Sequence, residues 1–474
     1  MAEYLTTVGL EIHAELKTKT KMFCNSRNAP HESNPNVHVC PICMAFPGTL
    51  PVINKEAVRH VLRVGAAVDG TLADYTEFDR KNYFYPDLPK GYQISQYKYP
   101  LVSGGTLSDV SITRIHLEED TARSQHLPAG ADTDGSWSLV DFNRAGVPLM
   151  ELVTEPVIHD AKKASEFAQE LQLLLRTLGA SDANMEKGEM RVEANISVSR
   201  DNNLGTKVEV KNLNSFRSVE RAIAFETNRH IELLEKGEKI IQETRGWDEN
   251  KQQTFSQRIK EDSHDYRYFP DPDLPKIRLS NIPEFTKEHI VNSLPELPQE
   301  KRKRLAEIGL EEKFVEILMS DTLYFTIYEK SLSSIADVKT KKIATDMLLS
   351  TVRGLNPTEE ELNNLGESLR VGAEMRVAGS VSSTAAASAL QEVLKTGKPF
   401  DSVVEEKGLL QIHDTDTLKE YANEAIVKNP SVVEDLKGGK ESALQYLVGQ
   451  GMKASRGAAN PQELSSAIKE ILGL

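Results

Sequence analysis

The sequence predicts an α+β protein, in which a domain built on a largely antiparallel sheet with flanking helices precedes an all-helical part. Three observations indicate this class. In the first 290 residues, polar and apolar residues alternate along several segments, as in strands that bury one face. After residue 304, apolar residues instead recur at helical spacing. Between the two regions, residues 295–304 combine prolines with four consecutive basic residues, which indicates a boundary.

The composition is that of an ordinary folded protein. The 474 residues are 39% hydrophobic and 27% charged, and the net charge of −14 means that nucleic-acid binding would need a local basic patch. No apolar run approaches the ~20 residues of a membrane span, and the N-terminus lacks the order of a signal peptide. Since three cysteines cannot build a full disulfide framework, we expect a cytoplasmic protein with no membrane partner.

The first predicted strand covers residues 5–16. Its apolar residues alternate with Glu11, His13 and Glu15, so that carboxylate, imidazole and carboxylate follow one another on the polar face. A hard cation prefers oxygen ligands, and imidazole extends the choice to manganese or zinc. A solvent-facing strand is the alternative, and it explains the polarity but not this selection of residues.

The three cysteines come next along the chain. Cys40 and Cys43 form a C-P-I-C motif whose spacing allows two thiolates to bind one ion, and Cys24 would add a third. Zinc usually takes four ligands, and Ser26 is a poor one, so one of two nearby histidines or a water would have to complete the site. From the sequence, the three cysteines could either form a zinc site or be three ordinary thiols, and both alternatives stay open.

Residues 55–70 and 160–178 have the apolar spacing of amphipathic helices, with Asp160 as N-cap of the second. Between them, residues 79–96 mix cations with aromatic rings, which suits a phosphate and a stacking base. The cations are Arg80, Lys81 and Lys90, and the rings are Tyr83, Phe84, Tyr85 and Tyr92. A surface loop is the alternative. Neither a Walker A sequence nor a G-x-G-x-x-G motif occurs, so a nucleotide site here would be of an unusual kind.

Two later strands each place a carboxylate among aliphatic side chains. In R-I-H-L-E-E-D, from residue 114, the alternation puts Glu119 on the face of Ile115 and Leu117, with His116 on the other face. In residues 149–154, Glu151 likewise falls on an otherwise aliphatic face. A carboxylate buried in this way needs a partner, and a divalent metal is one. A strand end that frays into a charged turn is the alternative for the first cluster.

The remaining segments complete the sheet and then become helical. Residues 190–199 and 207–211 are strands, and Glu193 lies on the open face of the first. The last ~70 residues form a small helical unit. Near its end, Lys453 and Arg456 lie beside glycines, where they would contact a nucleic-acid backbone or simply cap a helix. Acids for a metal and cations for phosphate together suggest ATP-dependent phosphoryl transfer.

The chain resembles the family of aspartyl/glutamyl-tRNA amidotransferase B subunits (GatB). The resemblance covers the whole chain and rests on V-G-L-E-I-H-A-E-L, D-R-K-N-Y-F-Y-P-D-L-P-K-G-Y-Q-I-S-Q, R-I-H-L-E-E-D, L-V-D-F-N-R-A-G-V-P-L-M-E-L-V, E-V-K-N-L-N-S-F, D-Y-R-Y-F-P-D-P-D-L and L-V-G-Q-G-M-K-A-S-R-G-A-A-N-P. It implies a catalytic cradle domain over residues 1–294, a helical domain over 295–407 and a tRNA-contacting helical tail over 408–474.

The resemblance also implies an activity and partners. Together with an amidase-type A subunit and a small C subunit, such a protein converts Glu-tRNA(Gln) to Gln-tRNA(Gln), or Asp-tRNA(Asn) to Asn-tRNA(Asn). The A subunit releases ammonia from glutamine. ATP phosphorylates the aminoacyl carboxylate in the B subunit, and ammonia then displaces phosphate. ATP and Mg²⁺ are the implied cofactors, with Zn²⁺ in some members.

Particular residues follow from the same resemblance. The implied Mg²⁺ ligands are His13, Glu119 and Glu151, while Glu11 and Glu193 serve a second site or support the first. The implied catalytic residues are Glu11, His13, Glu119 and Glu151. The implied nucleotide-binding residues are Arg80, Lys81, Tyr83, Tyr85, Lys90, Tyr92 and Gln93. The implied tRNA contacts are Lys453 and Arg456, and the candidate zinc ligands are Cys24, Cys40 and Cys43, although Ser26 replaces the family's fourth cysteine.

Two other classes of function compete with this interpretation. A stand-alone ATP-dependent carboxylate kinase or ligase would turn over without any partner. A non-catalytic tRNA-binding scaffold would tolerate the change Glu119→Gln without loss of product. The sequence does not decide which of the two tRNA substrates is used in the cell.

Overall fold

The computed structural model describes residues 4–126, 138–201, 203–259, 266–411, 414–455 and 457–474. The chain forms two compact units, Met1–Pro298 and Gln299–Leu474. The first contains a large sheet with flanking helices and the second is helical, which confirms the α+β class. The domain limits at residues 294 and 407 stay predictions. None of the helices among the described residues is long and apolar enough to cross a membrane.

The first unit contains seventeen strands and four α-helices within the described residues. The strands are β1 Leu5–Glu15, β2 Thr71–Leu72, β3 Tyr75–Thr76, β4 Asp79–Asn82, β5 Tyr92–Ser95, β6 Val102–Ser103, β7 Thr106–Leu107, β8 Val110–Glu119, β9 Arg123–His126, β10 Ser138–Asp141, β11 Pro148–Thr154, β12 Met190–Ser199, β13 Val208–Leu213, β14 Glu243–Asp248, β15 Gln253–Ile259, β16 Phe269–Pro270 and β17 Ile277–Arg278. The helices are α1 Lys55–Ala67, α2 Ala161–Thr177, α3 Phe216–Glu235 and α4 Lys287–Asn292, and short 3₁₀ turns cover Leu279–Asn281 and Pro283–Phe285.

The main sheet has the strand order β15-β14-β13-β12-β1-β11-β8-β6-β2, and β7 pairs with β8. Its described strand pairs are antiparallel except β13 and β14, which are parallel because α3 provides the crossover between them. The central strands are β1, β11 and β8, although long stretches of chain separate them. Their pairing brings the polar residues of three distant segments side by side.

Helices cover one face of this sheet. Along β1, Leu10 and Ile12 point into a core that also contains Phe167 and Leu171 of α2 and Val219 of α3. Burial of such a side chain contributes about 1.5–3 kcal/mol, so this face is strongly specified. The predicted N-cap of α2 is confirmed, since the Asp160 side chain accepts hydrogen bonds from the first turn of the helix. The alternate residues of the central strands are therefore left on the opposite face.

The second unit is an assembly of helices. The α-helices are α5 Pro298–Glu307, α6 Glu312–Ser320, α7 Thr322–Ile327, α8 Val338–Asp346, α9 Glu359–Asn363, α10 Gly366–Val377, α11 Ser383–Thr396, α12 Phe400–Glu406, α13 Thr415–Lys428, α14 Pro430–Lys437, α15 Glu441–Ala454 and α16 Pro461–Leu472. Tyr328–Leu332 and Met347–Val352 are π-helical, and Arg353–Leu355 is a 3₁₀ turn. The last four α-helices share a core that includes Leu418, Leu447, Leu464 and Ile468.

Candidate active site

The open face of the sheet carries a row of ionisable side chains across its three central strands. In the strand register, His13 of β1 lies opposite Glu151 of β11, and Glu151 lies opposite His116 of β8. Residues directly opposite one another in antiparallel strands project to the same face. Glu118, two residues after His116, lies on this face as well. We call His13, His116, Glu118, Glu151 and Glu11 the acid–histidine floor.

The side chains of the floor are close together and shielded from water. Glu151 Oε2 lies 3.2 Å from His13 Nε2 and 3.4 Å from His116 Nε2. The two oxygens of Glu118 lie 3.7 Å from the same two imidazoles, one from each. Glu11 Oε1 is 3.9 Å from His13 Nε2. Glu118 and Glu151 are buried. Buried carboxylates at these distances require positive charge between them.

The charges of the floor change its proton affinities. Burial alone would lower the pKa of His13, but the hydrogen bond and charge of Glu151, together with Glu118, raise that pKa to about 9. Against the same effect of burial, Glu151 and Glu118 raise the pKa of His116 to about 9. Burial, Glu151 and Glu193 raise the pKa of Glu11 to about 7. The floor therefore attracts cations, whether protons or a metal ion.

The ligand atoms of the floor fit a divalent metal. One group consists of Glu11, His13 and Glu151, and a second of His116, Glu118 and Glu151; within each group the ligand atoms lie within 4.8 Å of one another. Carboxylate oxygens are the ligands that Mg²⁺ prefers, and the imidazoles would also suit Mn²⁺. Because Glu151 belongs to both groups, the floor would hold either one ion or two adjacent ions.

Glu119 is not brought together with His13 and Glu151. Its Oε1 lies 2.6 Å from Lys90 Nζ and accepts a 2.9 Å hydrogen bond from the backbone N–H of Ile94. Among the described residues, no group of three metal-ligating atoms includes Glu119. Adjacent residues of a strand point to opposite faces, so Glu118 faces the floor and Glu119 faces away from it. The buried carboxylate has the partner that we expected, but this partner is a lysine.

Glu193 adjoins the floor without entering either group of ligands. It lies opposite Glu11 in the register of β1 and β12, and its Oε2 is 2.7 Å from Lys211 Nζ. The neighbouring carboxylates raise the pKa of Lys211 despite its burial. Glu193 therefore adds to the negative charge near Glu11 and holds a lysine at the edge of the floor.

The cation-and-aromatic segment forms a hairpin of β4 and β5, and it divides into residues near the floor and residues away from it. Lys81 lies close enough to Glu118 and Glu151 for these carboxylates to raise its pKa, although burial opposes the charge. Its Nζ lies 5.0 Å from the centroid of the Tyr266 ring. A lysine charge next to a candidate metal site is well placed to bind phosphate.

Two residues of the hairpin connect it to β8. The Gln93 side-chain amide donates a 2.7 Å hydrogen bond to the carbonyl of Glu119, and the Tyr83 hydroxyl donates to Gln93 Oε1 at 3.3 Å. Tyr85 is exposed, and its ring meets that of Tyr83 edge to face. Gln93 and Tyr83 therefore position the hairpin, and Tyr85 offers a ring to solvent.

Arg80 is already paired. Its guanidinium donates to Asp271 at 2.9 Å and to Asp273 at 2.9 Å, and it lies 4.3 Å from the centroid of the Tyr92 ring. Asp271 is buried, so this pair fixes the loop after β16 against β4. Arg80 thus contacts the two aspartates and the Tyr92 ring in this structure. Sequence reasoning missed the two aspartates, whose only signal was the D-P-D sequence after Phe269.

A cavity of about 210 Å³ lies beside Glu119. Its wall includes Lys90, Tyr92, Glu119, Gly146 and Cys43. Gly146 has φ of +82°, and a Cβ built there would lie 3.8 Å from Glu119 Oε2 and 3.8 Å from Cys43 Cβ. These are ordinary contact distances, so the positive φ, and not a lack of space, favours glycine in the turn before β11.

Comparisons with known proteins identify relatives over the whole chain. The family model described as the GatB/GatE catalytic domain matches residues 6–283, and the one described as the GatB domain matches residues 326–472. The aspartyl/glutamyl-tRNA(Asn/Gln) amidotransferase B subunit of Thermoanaerobacter pseudethanolicus is 42% identical over 485 residues, which cover 99% of each chain. That of Carboxydothermus hydrogenoformans is 41% identical over 486 residues, 100% of this chain and 99% of the relative.

The chain belongs to the family of aspartyl/glutamyl-tRNA amidotransferase B subunits. It is therefore an enzyme subunit of tRNA-dependent amidation, a ligase of translation, and the sequence-based prediction of the family is confirmed. Both units of the chain are matched, since the first family model lies within the sheet unit and the second within the helical unit.

The three cysteines of the chain also come together. The sulfur atoms of Cys24, Cys40 and Cys43 lie within 4.8 Å of one another, and Lys21 Nζ lies 3.9 Å from Cys43 Sγ. The hydrogen bond from Cys24, the backbone N–H of Cys40 and the Lys21 charge bring the pKa of Cys43 to about 4 against the effect of burial. The same bond, together with burial, raises the pKa of Cys24.

The donor set of this thiol cluster does not fit a closed zinc site. Such a site has four ligands, and the described residues supply three sulfurs. The other side chains that contact Cys43 Sγ are Ser26, a poor ligand, and the buried Lys21. The Lys21 ammonium already donates to the carbonyl of Phe142 at 3.0 Å. Burial lowers the pKa of Lys21, and the three cysteines oppose this effect. The protonated amino group would thus lie next to the thiols, where a metal would place its own charge.

One of the two predicted tRNA contacts, Lys453, lies near the end of α15. Lys453 is exposed in the last turn of this helix, where a phosphate would reach it. Arg456 lies outside the described residues.

Proposed function

We propose that this chain uses ATP to phosphorylate the side-chain carboxylate of Glu-tRNA(Gln) or Asp-tRNA(Asn), and then replaces the phosphate with ammonia, on the acid–histidine floor. The observation that carries the proposal is the floor itself, in which buried carboxylates and two imidazoles lie beside the half-buried Lys81. Acids that bind a cation next to a lysine that binds phosphate are the parts that phosphoryl transfer requires.

The two steps follow from the chemistry of the substrate. A carboxylate is a poor acceptor for ammonia because oxide is a poor leaving group. Transfer of the terminal phosphoryl group of ATP to a carboxylate oxygen gives an acyl phosphate and ADP. Ammonia then attacks the carbonyl carbon, the bond to phosphate breaks, and the amide and inorganic phosphate are formed. Both steps develop negative charge on phosphate oxygens, which nearby cations stabilise.

The residues of the floor have distinct parts in the proposal. Glu151 would hold Mg²⁺ together with Glu11 and His13 of one group or with His116 and Glu118 of the other, and the bound ion would neutralise charge between ATP and the carboxylate. Lys81 would bind the transferred phosphoryl group from the hairpin side. The floor binds the metal when its imidazoles are neutral, so the raised pKa values of His13 and His116 mean that protons compete with the ion.

Partners and location complete the proposal. An amidase-type A subunit would supply ammonia from glutamine, and a small C subunit would complete a heterotrimer in the cytoplasm. The helical unit would bind tRNA, with Lys453 among the contacts and residues 408–474 as its tail. Deletion of residues 408–474 should weaken tRNA binding in the complex while glutamine hydrolysis continues. Unchanged tRNA affinity would refute the role of the tail.

A transamidation assay tests the central proposal. The purified chain, with and without its A and C subunits, receives Glu-tRNA(Gln) or Asp-tRNA(Asn), ammonium, ATP and Mg²⁺, and both amide and ADP are measured. We expect amide that depends on ATP and on the divalent ion, and the better tRNA will identify the substrate. ADP release on free glutamate or aspartate without any partner would instead support a stand-alone carboxylate kinase.

A further inference from the structure

The thiol cluster carries chemistry that transamidation does not use. Cys40 and Cys43 bring their sulfur atoms to 3.8 Å from each other, and the backbone N–H of Cys40 donates to Cys43 Sγ at 3.1 Å. Cys24 and Cys43 are buried, whereas Cys40 is half-buried. The two thiols of the C-P-I-C turn are therefore neighbours, and one of them is accessible from solvent.

The incomplete ligand set argues against a metal as the reason for this arrangement. Three sulfurs lie together, and the side chain that could supply a fourth ligand is Ser26, a poor one. The Lys21 ammonium supplies positive charge at 3.9 Å from Cys43 Sγ. An adjacent lysine stabilises a thiolate, and thiolates perform thiol–disulfide exchange.

We propose that the Cys40–Cys43 pair is a redox-active dithiol, which a low-molecular-weight disulfide such as glutathione disulfide converts reversibly into an intramolecular disulfide. The inference does not depend on the transamidation proposal, since it concerns the thiol cluster alone. Cys40 is the attacking thiol because it is the accessible one, and Cys43 is the resolving thiol.

The exchange balances in two steps. The Cys40 thiolate attacks one sulfur of glutathione disulfide, the disulfide bond breaks, and one glutathione thiolate leaves. The Cys43 thiolate then attacks Cys40 Sγ, the mixed disulfide breaks, and the second glutathione leaves. The two cysteines lose two electrons, glutathione disulfide gains them, and the two protons of the cysteine thiols end on two molecules of glutathione.

Lys21 acts on this exchange through charge. Its ammonium stabilises the Cys43 thiolate and hence the reduced pair, so removal of the charge should favour the disulfide. In Lys21→Met, we expect the ratio of oxidised to reduced protein at a fixed glutathione ratio to rise at least about fivefold, which is the effect of a unit charge at ~4 Å even at the dielectric of bulk water. This readout is an equilibrium ratio, which a purely structural role of Lys21 would not move in a set direction.

The test equilibrates the full chain in glutathione buffers of graded ratio, blocks the remaining thiols with N-ethylmaleimide, and maps the disulfide by mass spectrometry. We expect a Cys40–Cys43 disulfide that dithiothreitol reverses, with Cys24 alkylated. Cys24→Ser should form the same disulfide. Cys43→Ser should stop at glutathione bound to Cys40, because the resolving thiol is gone. Mapping of the unmutated chain gives the answer even where a variant does not fold.

Three results would overturn the proposal. The first is one tightly held zinc ion per chain that protects all three thiols from N-ethylmaleimide. The second is a disulfide that includes Cys24 in place of Cys40 or Cys43. The third is a set of thiols that stays reduced at every glutathione ratio that oxidises a dithiol peptide of the same C-P-I-C sequence.

Discussion

The most direct test of the acid–histidine floor compares two neighbouring carboxylates that the strand places on opposite faces. Glu118→Gln removes a charge from the floor, and Glu119→Gln removes one from the Lys90 pair. The substitutions are nearly isosteric and adjacent in sequence, so each is the control for the other. The family resemblance assigns the metal to Glu119, whereas the geometry favours Glu118.

The expected size of the effect follows from distance and charge. The oxygens of Glu118 lie 3.7 Å from ligand atoms of His13 and His116. At ~4 Å, two unit charges interact by about 4 kcal/mol in a medium of effective dielectric ~20, and a divalent ion doubles this. Loss of Glu118 also relieves its repulsion by Glu151. We therefore expect Glu118→Gln to lose at least ~3 kcal/mol of metal-binding free energy, which weakens the metal affinity about 100-fold.

Thermal unfolding with and without Mg²⁺ measures this loss. At an Mg²⁺ concentration ~100-fold above the dissociation constant, binding stabilises the unsubstituted chain by about 2.7 kcal/mol. In Glu118→Gln, the same concentration should give about 0.4 kcal/mol, because the ion then only equals its dissociation constant. Glu119→Gln should keep the full increment over its own metal-free form. Loss of the Mg²⁺ effect in Glu119→Gln with its retention in Glu118→Gln would refute the placement.

Three further predictions concern other charged residues of the sheet unit. Lys81→Met should lower kcat of ATP-dependent amidation about 100-fold with little change in tRNA affinity, and an equal loss of tRNA affinity would contradict its role. Arg80→Ala should lower the free energy of unfolding in urea by about 3–5 kcal/mol, because it leaves the buried Asp271 unpaired. The KM for ATP should stay unchanged. Adding Asp271→Asn to the same chain should restore much of the stability. Burial alone would raise the pKa of Glu226, but hydrogen bonds from His230, Arg229 and Thr254 lower it from 4.5 to about 2. The ionised Glu226 should therefore add about 3 kcal/mol to the free energy of unfolding above pH 4.5, and this contribution should be lost as the pH falls towards 2. Glu226→Gln should lack this acid dependence, and an unchanged acid profile would disprove the linkage.

Local patterns in the sequence were sufficient for the elements of the fold. Alternation identified β1, β8, β11 and β12, and the side-chain cap of Asp160 marked the start of α2. These signals depend only on residues a few positions apart, so they can be recognised in the sequence without knowledge of the tertiary structure. The same alternation placed Glu118 and Glu119 on opposite faces of β8, as the structure has them.

The composition of the site needed information that local patterns lack. Alternation does not say which face of β8 meets the polar face of β1, because this depends on register between segments far apart in sequence. Glu151 was interpreted as lying on an aliphatic face because Leu149 and Val153 flank it, yet its cross-strand neighbours are two histidines. The buried Lys21 was missed for a related reason, since its partners Cys43 and Phe142 come from distant turns.

The order of strands in the sheet also has a consequence for how the protein reaches its native state. The floor needs β1 between β11 and β12, so β1 leaves the ribosome long before the two strands with which it pairs. Contacts between residues so distant in sequence form slowly, because closure of a long loop precedes any gain from pairing. Until then β1 has two unpaired edges and an apolar face, which is the form most prone to aggregate. Metal affinity of the floor should therefore appear late in refolding, after most of the helical signal has returned.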